Sequence, residues 1–184
     1  MKDCSQAIFE ASTVEFVTVA AEYCAFLESS EHVSRREFVD TLLKLLPLLY
    51  IKCILLPEAV RVDECGDLEQ FVMEDSYEVL RLTLSDILGE QDDYLDVFLA
   101  DMKYSDTPIR RTISEDLADI WQDIKNFVCQ FRSGIHAEMN DALVEVRDNF
   151  MSCWGQTLVN TLRALHEVRF ASIAEENEDD PAFY

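Results

Sequence analysis

The stretch from Leu42 to Leu56, LLKLLPLLYIKCILL, constrains the fold more than any other part of the chain. It is 15 residues long and is interrupted by Lys44, Pro47 and Lys52. A membrane span needs about 20 consecutive apolar residues, and a run of about 10 to 14 is more often a buried helix. This run is too short and too broken to cross a bilayer. The opening, MKDCSQAIFE, is polar and acidic where an export signal would carry a basic region and then an apolar one. The expectation is a soluble, cytoplasmic chain with no export signal and no membrane partner. The apolar run is read as core.

Its start is marked in the sequence. Ser34 and Glu37 have the S-x-x-E spacing of a capping box, in which side chains accept the backbone N–H groups that a first helical turn leaves free. A helix therefore begins near Ser34. Pro47 lacks a donor and clashes with the preceding turn, so the helix is expected to kink there or to end near Leu46, and Pro57 closes the run. Burial on nearly every side is predicted. A chain of 184 residues suits one domain and can bury roughly 70% of the surface its unfolded form exposes, enough to enclose one such helix. Four Gly and four Pro are too few for the turns of an all-β fold.

Gly66, Gly89 and Gly134 each border a periodic segment, as glycine does at helix C-termini. Five main helices follow. The first runs from about Ser12 to Glu28, with Val14, Val17, Ala21, Cys24 and Leu27 at helical spacing. The second is the Ser34 segment. The third runs from about Leu68 or Asp75 to Leu88, the fourth from Ser114 to Arg132, and the fifth from about Ile135 to Phe170. In the fifth, Met139, Ala142, Leu143, Val146 and Phe150 share a face, while Leu158, Leu162, Leu165 and Val168 lie on another. Either this helix kinks at Gly155 or its stripe turns around the bundle.

Between the third and fourth helices, residues 89–113 show no sustained period and are expected to form one long irregular loop. Ordered loops of that length are uncommon and often functional. Tyr94, Phe98, Tyr104 and Asp106 are the candidate site residues there, the alternative being that the aromatic residues simply pin the loop to the bundle. After the helical bundle domain of residues 1–173, the segment 174–184 carries five acids in six residues and then Pro, and is expected to be an acidic, mobile tail.

The six cysteines are scattered with no C-x-x-C pair, a pattern of reduced structural thiols and neither a zinc site nor a disulfide framework. None of His32, His136 and His166 has a Glu three residues before it, which disfavours a ferritin-like di-iron centre. No G-x-S-x-G, phosphate-binding glycine loop or basic patch is present.

Carboxylates are the exception. Asp116, Asp119 and Asp123 are spaced to form one stripe on the fourth helix, and Glu138, Asp141, Glu145 and Asp148 another on the fifth. Two converging acidic edges could hold Mg²⁺, a cation that takes hard oxygen ligands. EDSYE, from Glu74 to Glu78, and DLAD, from Asp116 to Asp119, resemble the E-E-x-x-E and E-x-x-D motifs of the all-helical nucleotide pyrophosphatases, with Asp replacing Glu at positions 75 and 116. That resemblance implies a Mg-dependent nucleotide pyrophosphohydrolase with Glu74, Glu78, Asp116 and Asp119 as metal ligands. The competing reading is a solvated acidic face with no cofactor.

A second resemblance covers most of the chain from Glu69 onward. DDYLDVF, ISEDLADIWQDIKNFV and WGQTLVNTLRALH are similar to segments of an uncharacterised family of acidic, all-helical bacterial cytosolic domains, a domain of unknown function. It implies the architecture and transfers no site residues. The reading is thus an all-α, single-domain helical bundle acting as a protein-interaction or regulatory module. With 37 acids against 15 bases, its expected partner is a protein with a basic surface, without direct contact to nucleic acid.

Overall fold

The computed structural model describes residues 4–62, 68–96 and 109–178. A short helix, α1 (Cys4–Ile8), precedes α2 (Ala11–Glu28), whose buried face is Phe16, Ala20, Tyr23, Cys24 and Leu27. Cys24 and Leu27 are buried as the expected stripe has them, whereas in the first half of the helix the buried residues lie one position earlier, at Phe16 and Ala20, and Val14 is exposed. Ser29 closes α2 by donating both its hydroxyl, at 2.7 Å, and its backbone N–H, at 3.1 Å, to the Ala25 carbonyl.

Ser34 caps α3 (Arg35–Ile54) by accepting the Glu37 N–H at 3.3 Å. The helix does not end near Leu46, one of the two outcomes expected at Pro47, but carries the proline in its interior. An interior proline costs about 3 kcal/mol. Leu42, Leu46 and Leu49, on either side of it, are fully buried where α3 meets α2 and α7 (Gly155–Glu178), and each contributes about 1.5–3 kcal/mol. Packing outweighs propensity. The burial is also one-sided, for Leu48, Ile51, Ile54 and Leu55 are about half exposed. A run of apolar letters carries no periodicity, so it hid which side faced the core.

Ser76 brackets the start of α4 (Glu74–Leu88): its hydroxyl accepts the Met73 N–H and donates to the Met73 carbonyl. Gly89 ends it at φ 59°, a left-handed conformation that glycine adopts freely, and a Cβ there would meet the Arg35 guanidinium at 3.0 Å. Arg35 in turn donates Nε to the Ile87 carbonyl at 3.1 Å, a cation at the helix C-terminus. The segment expected to be an irregular loop is ordered at both ends. After a 3₁₀ turn at Gly89–Gln91, β1 (Asp93–Asp96) pairs antiparallel with β2 (Ile109–Thr112), Asp93 opposite Thr112 and Leu95 opposite Arg110.

Thr112 caps α5 (Ile113–Phe131), the central helix, which packs on α2, α4, α6 (His136–Asn149) and α7. A π turn at Phe150–Trp154 joins α6 to α7. This turn answers the question raised by the fifth helix: a wide turn inserts extra backbone and rotates the buried face from Leu143 and Val146 to Leu158 and Leu165. Gly155 permits it, because a Cβ there would lie 2.5 Å from the Phe150 carbonyl oxygen. Of the expected tail, residues 174–178 continue α7 and 179–184 lie outside the described residues. The described residues form an all-α bundle with one two-stranded ribbon. Among the described residues no helix is long and apolar enough to cross a membrane.

Candidate functional site

The three acids expected to form one stripe on α5 have three different surroundings. Asp116 is fully buried beneath the ribbon. Tyr94 Oη donates to its Oδ2, Arg111 donates Nη2 and Nε to Oδ1 at 2.6 and 3.0 Å, and Thr161 of α7 donates to Oδ2 at 3.2 Å. Burial pushes this carboxyl up, and the donors from Tyr94, Arg111 and Thr161 pull against it. Beside it Asp92 accepts the Ser114 N–H at 2.7 Å and the Ser114 hydroxyl at 2.6 Å, satisfying an orphan donor of the first turn of α5. Together these carboxylates fasten the ribbon to α5 and α7. A cavity of about 480 Å³ opens alongside, between β1 and α7, with Tyr94, Leu95, Asn160 and Arg163 among its walls.

Asp119 is exposed and accepts the Tyr77 hydroxyl of α4 at 2.6 Å. The two motifs compared with a metal-dependent hydrolase therefore meet through Tyr77 and Asp119. Glu78 pairs with Arg81 on its own helix at 2.8 Å, Glu74 is exposed in the first turn of α4, and Asp116 is engaged by the ribbon. Among the described residues no three His, Cys, Asp or Glu side chains are grouped to hold a metal ion. Of the loop candidates, Tyr94 belongs to the Asp116 network, whereas Phe98, Tyr104 and Asp106 lie outside the described residues.

Asp123 belongs to a third setting, the seam between α5 and α6. The helices run antiparallel there, so Asn149 donates to Asp123 at 3.0 Å at one end and Gln130 donates to Glu138 at 3.0 Å at the other. The chain before α4 crosses this seam. Arg61 pairs with Glu145, and Asp141 accepts the Val62 N–H at 2.8 Å. Asn126 Oδ1 accepts the N–H groups of Phe71 and Val72 at 2.8 and 3.0 Å, and its Nδ2 donates to Gln70 at 2.6 Å. Burial pushes the Asp123 carboxyl up to about 6; Asn149 opposes the shift, and the negative charges of Asp119 and Glu145 reinforce it.

Two openings mark the seam. A small cleft of about 80 Å³ lies beneath residues 68–70, with Asp123, Gln130, Glu145 and Asn149 in its walls. A groove of about 710 Å³ shares Leu68, Glu69 and Gln130 with it and continues past Glu138 and Asp141. Glu138 and Asp141 of α6 thus line the groove, Glu145 lines the small cleft together with Asp123 of α5, and Asp148 is exposed. Sequence reading passed over the amides Asn126, Gln130 and Asn149. The available signal was Asn126 and Gln130 four residues apart beside the apolar face of α5, where a solvated stripe would carry charge.

A family model described as a domain of unknown function, DUF5063, matches residues 7–171. The crystal structure of protein BF1032 from Bacteroides fragilis, a structural-genomics target, is similar to this chain at 48% identity and a TM-score of 0.79, over 90% of this chain and 99% of that one. No curated protein matches.

Proposed function

Because the chain belongs to the DUF5063 family, described only as a domain of unknown function, we propose its role from its own surface. It is a protein-interaction or regulatory module of the cytoplasm, soluble, that binds a protein with a basic surface. The observation supporting this is how its cations are placed. Lys52 pairs with Glu15, Arg61 with Glu145, Arg81 with Glu78, Arg110 with Asp93, Arg111 with Asp116, Lys125 with Glu28 and Arg169 with Asp40. These bases are neutralised within the fold, and a net charge of -22 remains, much of it facing solvent. Such a field repels phosphate backbones and steers basic surfaces inward.

The test is a titration of the labelled protein with a lysine-rich peptide and a glutamate-rich peptide of equal length, at low and high salt. Binding of the basic peptide alone, weakening steeply as screening rises, is expected. Equal affinity for both peptides would refute the reading. So would a large rise in melting temperature given only by Mg²⁺ with a nucleoside triphosphate, since a ligand stabilises the state that binds it.

A further inference from the structure

The apolar run of α3 is covered on one side only. Leu42, Leu46 and Leu49 are enclosed by the bundle, whereas Leu48, Ile51 and Leu55 recur at helical spacing on the opposite side and are 45%, 52% and 55% exposed. A helix that is apolar all round is normally buried all round, and among the described residues this second stripe has no cover. The neighbouring helix continues the patch. α7 runs antiparallel to α3, since Arg169 pairs with Asp40 near the start of α3 and Phe150 of the π turn meets Tyr50 near its end, with ring centres 5.1 Å apart. Along it Met151 and Val159 are exposed.

Charge sets this side of the molecule apart. The chain carries 37 acids in 184 residues, yet none between Asp40 and Glu58 and none between Asp148 and Glu167, its two longest stretches without one. The first is most of α3, and the second holds the π turn and the first half of α7, helices that pack on each other. Exposed apolar residues elsewhere keep different company: Val79 and Leu82 of α4 stand among Asp75, Glu78 and Asp86. A side that is both apolar and free of carboxylates, in so acidic a chain, is a contact surface.

Its occupant is narrowed by the same charges. A basic partner is drawn to acids and finds none here, where the exposed charges are those of Lys44 and Arg163. An anionic lipid surface is repelled by a net charge of -22. Two copies of the chain repel each other too, but least where the acids are missing, and a screening length of about 8 Å at physiological salt mutes the acids of the other faces. Two-fold pairing, the commonest symmetry of soluble oligomers, sets this stripe against itself, apolar on apolar. The size suits a weak pair. Residues 41–55 span about 22 Å and two neighbouring helices about 20 Å across, a face at the low end of specific interfaces.

We propose that the outward side of α3, with the adjoining edge of α7, is the interface of a weak symmetric dimer of this chain, in which Leu48, Ile51 and Leu55 pack on the same residues of the second copy. The dimer stands independently of the basic-partner reading and leaves the acids of α4, α5 and α6 outside the contact.

The experiment is sedimentation equilibrium of the full chain, from micromolar to near-millimolar concentration, at low and high NaCl. Wild type should pass from monomer to dimer within that range, and added salt should tighten the dimer severalfold, the reverse of its effect on a basic peptide. Ile51→Glu sets a carboxylate at the centre of each half of the contact and should weaken the dimer at least about a hundredfold. Val79→Glu, at an exposed apolar position of α4, should stay within about twofold. Where all are monomeric, both variants should melt within about 2 °C of wild type. Leu48→Glu repeats the test should Ile51→Glu fold poorly. A wild type that stays monomeric throughout would overturn the dimer, and a clear loss of melting temperature in Ile51→Glu would then show that the stripe is covered within one chain. A dimer that Ile51→Glu and Leu48→Glu leave intact, or one that loosens as salt is added, would overturn the assigned face. Flotation of wild type with vesicles of phosphatidylcholine, alone or mixed with phosphatidylglycerol, without association in solution, would overturn the second copy as the occupant.

Discussion

Asp116 and Asp123 lie two turns apart on one helix, and their environments differ sharply. Asp116 is enclosed by the Tyr94 hydroxyl, the Arg111 guanidinium and the Thr161 hydroxyl, groups drawn from both strands of the ribbon and from α7. Asp123 accepts from Asn149 and faces the charges of Asp119 and Glu145. Desolvation raises both carboxyls. Burial alone therefore does not mark a carboxylate as a site. The difference lies in the donors: the start of α5 supplies Asp116 with a full set and joins three elements, while the middle of the helix leaves Asp123 with the Asn149 amide and two neighbouring negative charges.

The largest effect tests the closed end. Asp116→Ala removes the ion-pair partner of Arg111 and frees the hydroxyls of Tyr94 and Thr161. Removing one member of a buried pair costs about 3–5 kcal/mol, and the lower end applies because Arg111 is 34% exposed. Urea unfolding should show a lowered midpoint. Tyr94→Phe, which removes one donor and leaves the ion pair, should cost about 1 kcal/mol. A loss below 1 kcal/mol in Asp116→Ala would erase the contrast.

Asp123 should respond with the opposite sign. A carboxyl raised from 3.8 to about 6 binds its proton more tightly in the folded state than in the unfolded one. Its effect on stability is thus most favourable below the lower value and is lost as pH rises through the upper one, amounting at most to about 2–3 kcal/mol at neutral pH. Asp123→Asn should remove that slope and stabilise the fold at neutral pH by about 1–2 kcal/mol, after allowance for solvent that reaches a half-buried group. Chemical unfolding of wild type and variant at a series of pH values between acid and neutral checks both the sign and the window. Parallel curves would show that Asp123 is as well compensated as Asp116.

The helices were legible in the sequence because α5 repeats its apolar residues at helical period and because Ser34 and Gly89 punctuate neighbouring segments. Less was legible wherever a distant partner decided the outcome. Pro47 is carried inside α3 by leucines packed on α2 and α7, information the local sequence lacks. The ribbon escaped notice because four-residue strands separated by 12 residues show neither a sustained alternation nor a tight-turn pair. The acids of α5 looked alike since spacing gives the side of a helix, and the three partners that separate them come from α4, α7 and the ribbon, and from α6. The groove amides were missed for the same reason, their meaning resting on a crossing segment far away in the chain.

Asp119, between the two, should give the smallest effect and so calibrate the others. It is exposed, and its contact is the Tyr77 hydroxyl at 2.6 Å. Burial and this hydrogen bond push the Tyr77 hydroxyl up, so at neutral pH it remains a neutral donor. Asp119→Asn keeps an oxygen in place to accept that proton, and loses a charge that solvent already screened. It also relieves repulsion in a molecule of net charge -22, an effect that favours the compact state and fades as salt is added. The two small terms oppose each other, and stability should change by no more than about 0.5 kcal/mol. Melting both proteins at low and high salt, each with chelator and with Mg²⁺, separates the possibilities. A small stabilisation confined to low salt and equal in both metal conditions is expected. A Mg²⁺-dependent rise seen in wild type and lost in Asp119→Asn would make Asp119 a metal ligand instead, and would shift the functional contrast away from Asp116 and Asp123.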